Sequence, residues 1–571
     1  MKGPAAPKDA EEKKPSFYIM RGKQIAGAPV SEDKGVQFIY LNDGRLLSSA
    51  KLVGNISDEN IMELLKTTEG FRKLVYAIGI SVEAQDMDQN VDFVFQMYGK
   101  TDMYGGGTNV KATVKADGME KIVKLSECEW SDDDKEPGQI RFEFAKPGIQ
   151  AIAAVRFYLN DGYTAPEPEE EKEVDFESSV YAEMLDKSIM QTGNNTRIKK
   201  AIEKARNGED VTIAFIGGSI TQGAGAVPIN TKCYAYKTFE NFCKYLGKST
   251  DENIHFVKAG IGGTPSELGM IRYERDVLRY GNVTPDIVVV EFAVNDAGDE
   301  TNGECYDSLV RKIYMSENKP AVILLFSVFA DDYNLQDRLK VVGETYKLPM
   351  VSLKNCVTEQ FYKKAEEGRL ISKNQYFYDC FHPTNTGHVI MSDCLMHVIK
   401  AIDDLEADDS DFDISNIKAP HGDEFAGVRL IDKKEINDNR VSVVSNVSCG
   451  DFSDTDELLQ TAEMDTDLHG TKQFPYNWMH KKGNKPFEMD IKCSALLMIN
   501  KDSGEPDAGC AEVYVDGEKV LFVDPKVVGW THCNPLICFR GRENKVYHVE
   551  VRMQPGDEDK DFTILGFGYV E

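Results

Sequence analysis

Val211-Thr-Ile-Ala-Phe-Ile-Gly-Gly-Ser219-Ile-Thr-Gln-Gly223 is an apolar run that stops abruptly at two glycines and a serine. Its β-branched and aromatic residues read as a strand buried on both faces, and the glycines as a tight exit turn. Similar apolar runs recur at 254–258, 286–292 and 321–328. They alternate with helical patterns at 197–206, 235–246, 266–280, 308–315 and 386–401. Such alternation means βαβ units, hence an α/β domain with a parallel sheet and helices on both faces. In such sheets ligands bind beyond the carboxyl ends of the strands, where Ser219 would sit.

Outward from this middle region the pattern changes. At 571 residues the chain is too long for one core. Two acidic stretches, Pro166-Glu-Pro-Glu-Glu-Glu-Lys-Glu173 and Asp403-Asp-Leu-Glu-Ala-Asp-Asp-Ser-Asp411, mark the expected boundaries. Before the first, strands are expected at 36–40, 93–97, 110–114, 140–144 and 154–158, with one short helix at 58–66. After the second, strand pairs at 512–517/520–524 and 547–552/562–569 dominate. The expected division is a disordered lead-in at 1–30, a β-sandwich or jelly roll at 31–165 and an acidic linker at 166–179. The α/β domain at 180–402, a second linker at 403–420 and a second β-sandwich at 421–571 complete it.

Charge narrows the partners. Lys and Arg total 66 against 95 Asp and Glu, a net charge of −29. That surface repels phosphate backbones and anionic membranes, so neither nucleic acid nor membrane is expected as a partner. No apolar run approaches the roughly 18 residues of a membrane span. The 12 cysteines are dispersed and form no CxxC pair, so no metal site is expected. With no secretory signal visible in 1–14, dispersed thiols fit a cytoplasmic location; secretion follows instead if a signal was trimmed away. Oligomeric state is left open.

Three familiar readings of the Ser219 turn fail on spacing. A phosphate-binding loop needs lysine where Ala224 stands, a dinucleotide fingerprint needs a different glycine order, and GxSxG needs glycine where Thr221 stands. What remains is a serine at a strand exit whose own amide faces incoming charge. Phe256-Val-Lys-Ala-Gly-Ile-Gly-Gly263 is a second strand passing into glycines. Asp286-Ile-Val-Val-Val-Glu-Phe-Ala-Val-Asn295-Asp296 ends a third strand in a carboxamide that can donate to an oxyanion. In Asp379-Cys-Phe-His382-Pro383 the carboxylate can accept from Nδ1 and leave Nε2 toward a serine. Each has a plain packing or turn reading alone; all four fall at strand exits of one sheet.

In that order these blocks resemble the SGNH, or GDSL-type, hydrolases over roughly residues 180–402. Gly218-Ser219 matches the first block, with Gly218 where many members carry aspartate. Ile261-Gly-Gly263, Ala293-Val-Asn295-Asp296 and Asp379-x-x-His382 match the others. Lys258 stands where an asparagine often precedes the second-block glycine, which leaves Gly260 and Gly262 as substitutes for Gly263. The resemblance implies Ser219 as nucleophile, His382 as general base and acid, and Asp379 as its orienting partner. It implies an oxyanion hole from the amides of Ser219 and Gly263 and the Asn295 carboxamide, with no cofactor.

The flanking sandwiches favour acetylated plant oligosaccharides as substrate, xylan-type chains ahead of mannan or pectin. A lipid or short-chain esterase, a thioesterase, or an inactive carbohydrate-binding protein are the alternatives. Trp530 and His532 read either as a packed sandwich edge or as a rim of the site. His388 and His397 read as packing or surface residues, and Cys380 lacks a base of its own.

Overall fold

The computed structural model describes residues 14–438 and 440–571. At its centre is a six-stranded sheet in the order 189–191, 350–352, 321–326, 287–291, 211–217, 254–260. All neighbours are parallel except the edge strand Ile189–Gln191, which runs antiparallel to Met350–Ser352. Strands 287–291 and 321–326 are buried along their whole length, as a sheet covered on both faces requires. Helices Thr196–Arg206, Tyr234–Tyr245 and Asn385–Asp404 pack on one face. Ser266–Asp276, Glu304–Tyr314 and Gln336–Tyr346 pack on the other. Among the described residues no helix is long and apolar enough to cross a membrane.

The N-terminal part is a sandwich of a four-stranded and a five-stranded sheet around one apolar core. Here the expected lead-in at 1–30 needs correction. Residues 1–13 lie outside the described residues, but Ser16–Ala26 is a strand paired with Gln150–Leu159, and Ala28–Ser31 is another. The alternation was hidden by register shifts on either side of Met20, the second of which spans Gly22 at a φ of 61°. A bulge at that point turns Lys23 inward and breaks the period-2 pattern.

The C-terminal part pairs two further five-stranded sheets. The expected hairpin forms between Ala511–Val515 and Glu518–Val523. It turns at Asp516 and Gly517, both with positive φ, as a tight primed turn demands. Leu497, Ile499 and Leu565 of this part share one buried cluster with Ile271 and the central strands. The helix Ser266–Asp276 is therefore walled in between two sheets, and the C-terminal sandwich is continuous with the α/β core.

Neither acidic stretch is a free linker. In the first, Glu169 pairs with Arg369 at 2.8 Å, and Glu171 accepts from Asn374 at 2.8 Å. In the second, Asp403 still belongs to the long helix and pairs with Arg206. Asp411 takes both arms of Arg197 at 2.8 and 3.0 Å. The acids of the expected linkers meet arginine, asparagine and serine side chains supplied by the fold.

Candidate active site

The site forms where the central strands end. Strand Val211–Gly217 delivers Ser219 to the first position of the short helix Ser219–Gln222, so its N–H has no intrahelical acceptor. Close approach explains the glycine before it: a Cβ on Gly218 would lie 2.4 Å from Asn295 Oδ1 and 2.7 Å from Nδ2. The Asn295 carboxamide thus lies directly against the backbone that presents the serine. Beneath the turn the fully buried Arg272 donates to the carbonyls of Gly217 at 3.0 Å and Ala259 at 2.8 Å. It ties together the ends of the two strands that carry the glycine motifs.

The loop between the short helix Lys373–Tyr376 and the long helix Asn385–Asp404 brings in the other pair. His382 Nε2 lies 2.9 Å from Ser219 Oγ, and Nδ1 lies 2.8 Å from Asp379 Oδ2. Asp379 Oδ1 also accepts from the amides of Phe381 and His382 at 2.8 Å each. Burial would raise this carboxyl, but the imidazole and those amides hold it below the ordinary carboxylate value. The loop is closed by the Tyr378 amide donating to the His382 carbonyl at 2.7 Å. Asn385, at the start of the long helix, bonds both the N–H and the C=O of Val227 at 2.8 Å, securing the serine-side loop to the histidine-side helix.

The second glycine motif approaches from the opposite side. A Cβ on Gly262 would lie 3.8 Å from Ser219 Cβ, but the Gly262 amide is already given to Gln222 Oε1 at 2.7 Å. Gly260 is packed against the Gln222 backbone. Gly263, at a φ of 72°, donates its amide to no acceptor among the described residues. Of the adjacent pair Gly262 and Gly263, it is Gly263 that keeps a free N–H. Lys258 is completely buried and donates to the Gln222 carbonyl at 2.8 Å, so it braces the serine helix from below.

The C-terminal sandwich completes this side. Trp530 carbons lie 2.8 and 2.9 Å from where a Gly263 Cβ would be, and His532 Nε2 lies 3.1 Å from the Gly263 carbonyl. His532 Nδ1 meets Asp502 at 3.0 Å. Gln460 donates to the Gly262 carbonyl at 2.8 Å. Trp530 keeps 44% of its surface exposed at the edge of the site. His532, by contrast, is 6% exposed, held between the Gly263 carbonyl and Asp502.

Other histidines and cysteines have structural partners. His388 is fully buried between the Tyr234 amide and the Ala224 carbonyl, each at 3.1 Å, and burial pushes it down to about 3. His397 pairs with Asp186 near the surface. Burial pushes the Cys380 thiol up to about 11, far from a thiolate.

Sequence reasoning missed the acid beneath the serine. Glu291 ends strand Ile287–Glu291, is fully buried and accepts from Thr221 Oγ1 at 3.0 Å, which in turn meets Tyr234 Oη at 2.8 Å. Burial pushes Glu291 up to about 8 from an ordinary 4.5. The available signal was a carboxylate closing an otherwise apolar strand. Because the folded value lies above the unfolded one, the native state holds a proton that the unfolded chain releases. Stability from this group is complete below the ordinary carboxyl value and is lost as pH climbs toward 8. Glu291→Gln is expected to remove that slope. Its stability relative to wild type should rise by about 1.4 kcal/mol per pH unit between pH 5 and 8. Denaturant midpoints at three pH values check it; parallel curves would refute the buried neutral acid.

Residues 215–390 match the model of the GDSL-like lipase/acylhydrolase family. The middle of the chain is therefore an SGNH-type hydrolase domain within a mixed α/β protein. The chain is similar to a two-domain esterase active on acetylated mannans. Identity is 26%, covering 68% of this chain and 99% of that one, with a TM-score of 0.56. A structure of such an esterase co-crystallised with mannopentaose gives 26% identity, 68% and 98% coverage and a TM-score of 0.55. No curated protein matches the sequence. The protein is a carboxylic ester hydrolase resembling carbohydrate acetylesterases.

Proposed function

We propose that this enzyme removes acetyl groups from acetylated oligosaccharides through an acyl-enzyme on Ser219. The observation that carries the reading is the unbroken chain from Ser219 Oγ through His382 to Asp379, at 2.9 and 2.8 Å. In the first half-reaction Ser219 Oγ bonds to the acetyl carbon while its proton passes to His382 Nε2. The C–O bond to the sugar breaks, and His382 returns the proton to the departing sugar oxygen. Water then repeats the sequence against the acetyl-serine and releases acetate. Negative charge on the former carbonyl oxygen is held by the Ser219 and Gly263 amides and the Asn295 carboxamide.

Each role has a test. Asn295→Ala is expected to lower kcat about 10²–10³-fold on 4-nitrophenyl acetate, with KM little changed, because the lost donor acts only on the transition state. A change confined to KM would remove Asn295 from the oxyanion hole.

For the sugar, similarity to an esterase active on acetylated mannans supports mannan-type chains. That displaces the xylan-type preference expected from sequence. Trp530 and His532 would form the rim on which the sugar chain lies, since an exposed indole offers an apolar face for a pyranose ring. The test is mass spectrometry of acetylated manno- and xylo-oligosaccharides before and after treatment. Faster loss of acetyl from manno-oligosaccharides is expected. Faster loss from xylo-oligosaccharides would restore the earlier preference, and a preference for octanoyl over acetyl esters would sink the deacetylase reading.

A further inference from the structure

We infer that the N-terminal sandwich is a working part of the active site, with Lys23 as the positioning residue for the loop that carries Asp379 and His382. The inference rests on the serine-esterase reading above and deepens it.

Lys23 sits on strand Ser16–Ala26, just after the bulge at Gly22, and is 3% exposed. Its Nζ crosses the interface and donates to the carbonyls of Asn374 and Phe377, the latter at 2.7 Å. These two carbonyls lie at the end of the helix Lys373–Tyr376, the point from which the loop 378–383 departs. Carbonyls at a helix end lack intrahelical donors, and the N–H groups of Lys23 supply them.

The surrounding bonds fix the same short segment. Asn374 Nδ2 donates to Glu171, which also accepts from Ser372 Oγ, and Gln375 Nε2 donates to the Lys172 carbonyl at 2.6 Å. Glu171 and Asp379 are the acids that face the Lys23 ammonium. Two residues beyond Phe377 comes Asp379, and five beyond it His382. The ammonium is thus the anchor from which the imidazole is aimed at Ser219. On the other side the C-terminal sandwich holds the Gly262-Gly263 turn through Gln460 and His532. Each flanking domain grips one wall of the site.

Removing the ammonium leaves two buried carbonyls unpaired and lets the loop shift. Displacement of a catalytic group by about 1 Å is enough to cost on the order of 10²-fold. The full chain carrying Lys23→Met is therefore expected to lose about ten- to hundredfold in kcat on 4-nitrophenyl acetate, with KM within about twofold. Inactivation of Ser219 by a fluorophosphonate should slow by the same factor, because it depends on the same imidazole. Lys23→Arg, which keeps donors for the carbonyls, should recover most of the rate. Arg21→Met is the control: the Arg21 side chain bonds the Glu169 carbonyl, and only its backbone carbonyl, which the substitution keeps, meets Asn374.

A Lys23→Met protein that melts earlier, yet keeps wild-type kcat well below its melting temperature, overturns the inference. If that variant does not fold, Lys23→Gln replaces it, with the same expected kcat loss and the same overturning result. Ser219→Ala run in parallel separates the two claims. Activity surviving there refutes the serine reading itself. A dead Ser219→Ala beside an unimpaired Lys23→Met refutes only the clamp.

Discussion

Ser219→Ala is expected to lower kcat on 4-nitrophenyl acetate by about 10⁶-fold while leaving the melting temperature within a few degrees of wild type. Alanine removes the only atom that can bond to the acyl carbon, and His382 Nε2, 2.9 Å away, is left with no hydroxyl to deprotonate. The fold should tolerate the change. The Ser219 carbonyl keeps its bonds to the Gly223 and Ala224 amides at 3.0 and 2.9 Å, and helix Ser219–Gln222 loses no packing atom but Oγ. Residual rate over water should remain, because the oxyanion donors are untouched. The measurement is steady-state kinetics with fluorophosphonate labelling, which should vanish. Activity within tenfold of wild type would mean that the hydrolysis occurs elsewhere.

Asp379→Asn is expected to cost about 10⁴-fold in kcat with little effect on KM. The change is nearly isosteric, and the carboxamide oxygen can still accept the Phe381 and His382 amides that now reach Oδ1. The loop therefore stays in place. What changes is the proton on the ring. Asp379 Oδ2 now requires a proton on Nδ1, which leaves the Nε2 lone pair toward Ser219. An amide NH₂ at that place donates to Nδ1 instead, so the proton moves to Nε2 and the base is lost. A large rise in KM would instead point to a collapsed loop.

The contrast between these variants and Glu291→Gln follows from where each charge sits. Asp379 is a part-exposed carboxyl held below its ordinary value by an imidazole and two amides, whereas Glu291 is a fully buried carboxyl kept neutral by burial. One meets the His382 ring at Nδ1; the other accepts from Thr221 beneath the serine turn. Both lie within one site, and burial and neighbours together separate them.

The readable parts of the fold were those with strong local period. Strands buried on both faces appear as uninterrupted apolar runs, so four of the six central strands stood out. The strands Ile189–Gln191 and Met350–Ser352 did not, because three residues are too few to show a period. Helix Gln336–Tyr346 was missed as well; its mixed surface gives a weak apolar stripe. In the N-terminal part a bulge disguised a long strand, so Lys23 fell inside the expected lead-in.

From the order of residues alone came the chemistry of the site: serine after glycines, a carboxamide at a strand end, and acid and imidazole three residues apart. These are local facts, since turns and strand exits are set by neighbours in the chain. Only the folded molecule decided that Gly263 and not Gly262 keeps a free amide, which acid stays neutral, and that Lys23 meets the base of the histidine loop while Trp530 meets the glycine turn from the opposite flank. Burial and long-range contact are properties of assembled surfaces, and residues hundreds of positions apart acquire them only when the sheets close on one another.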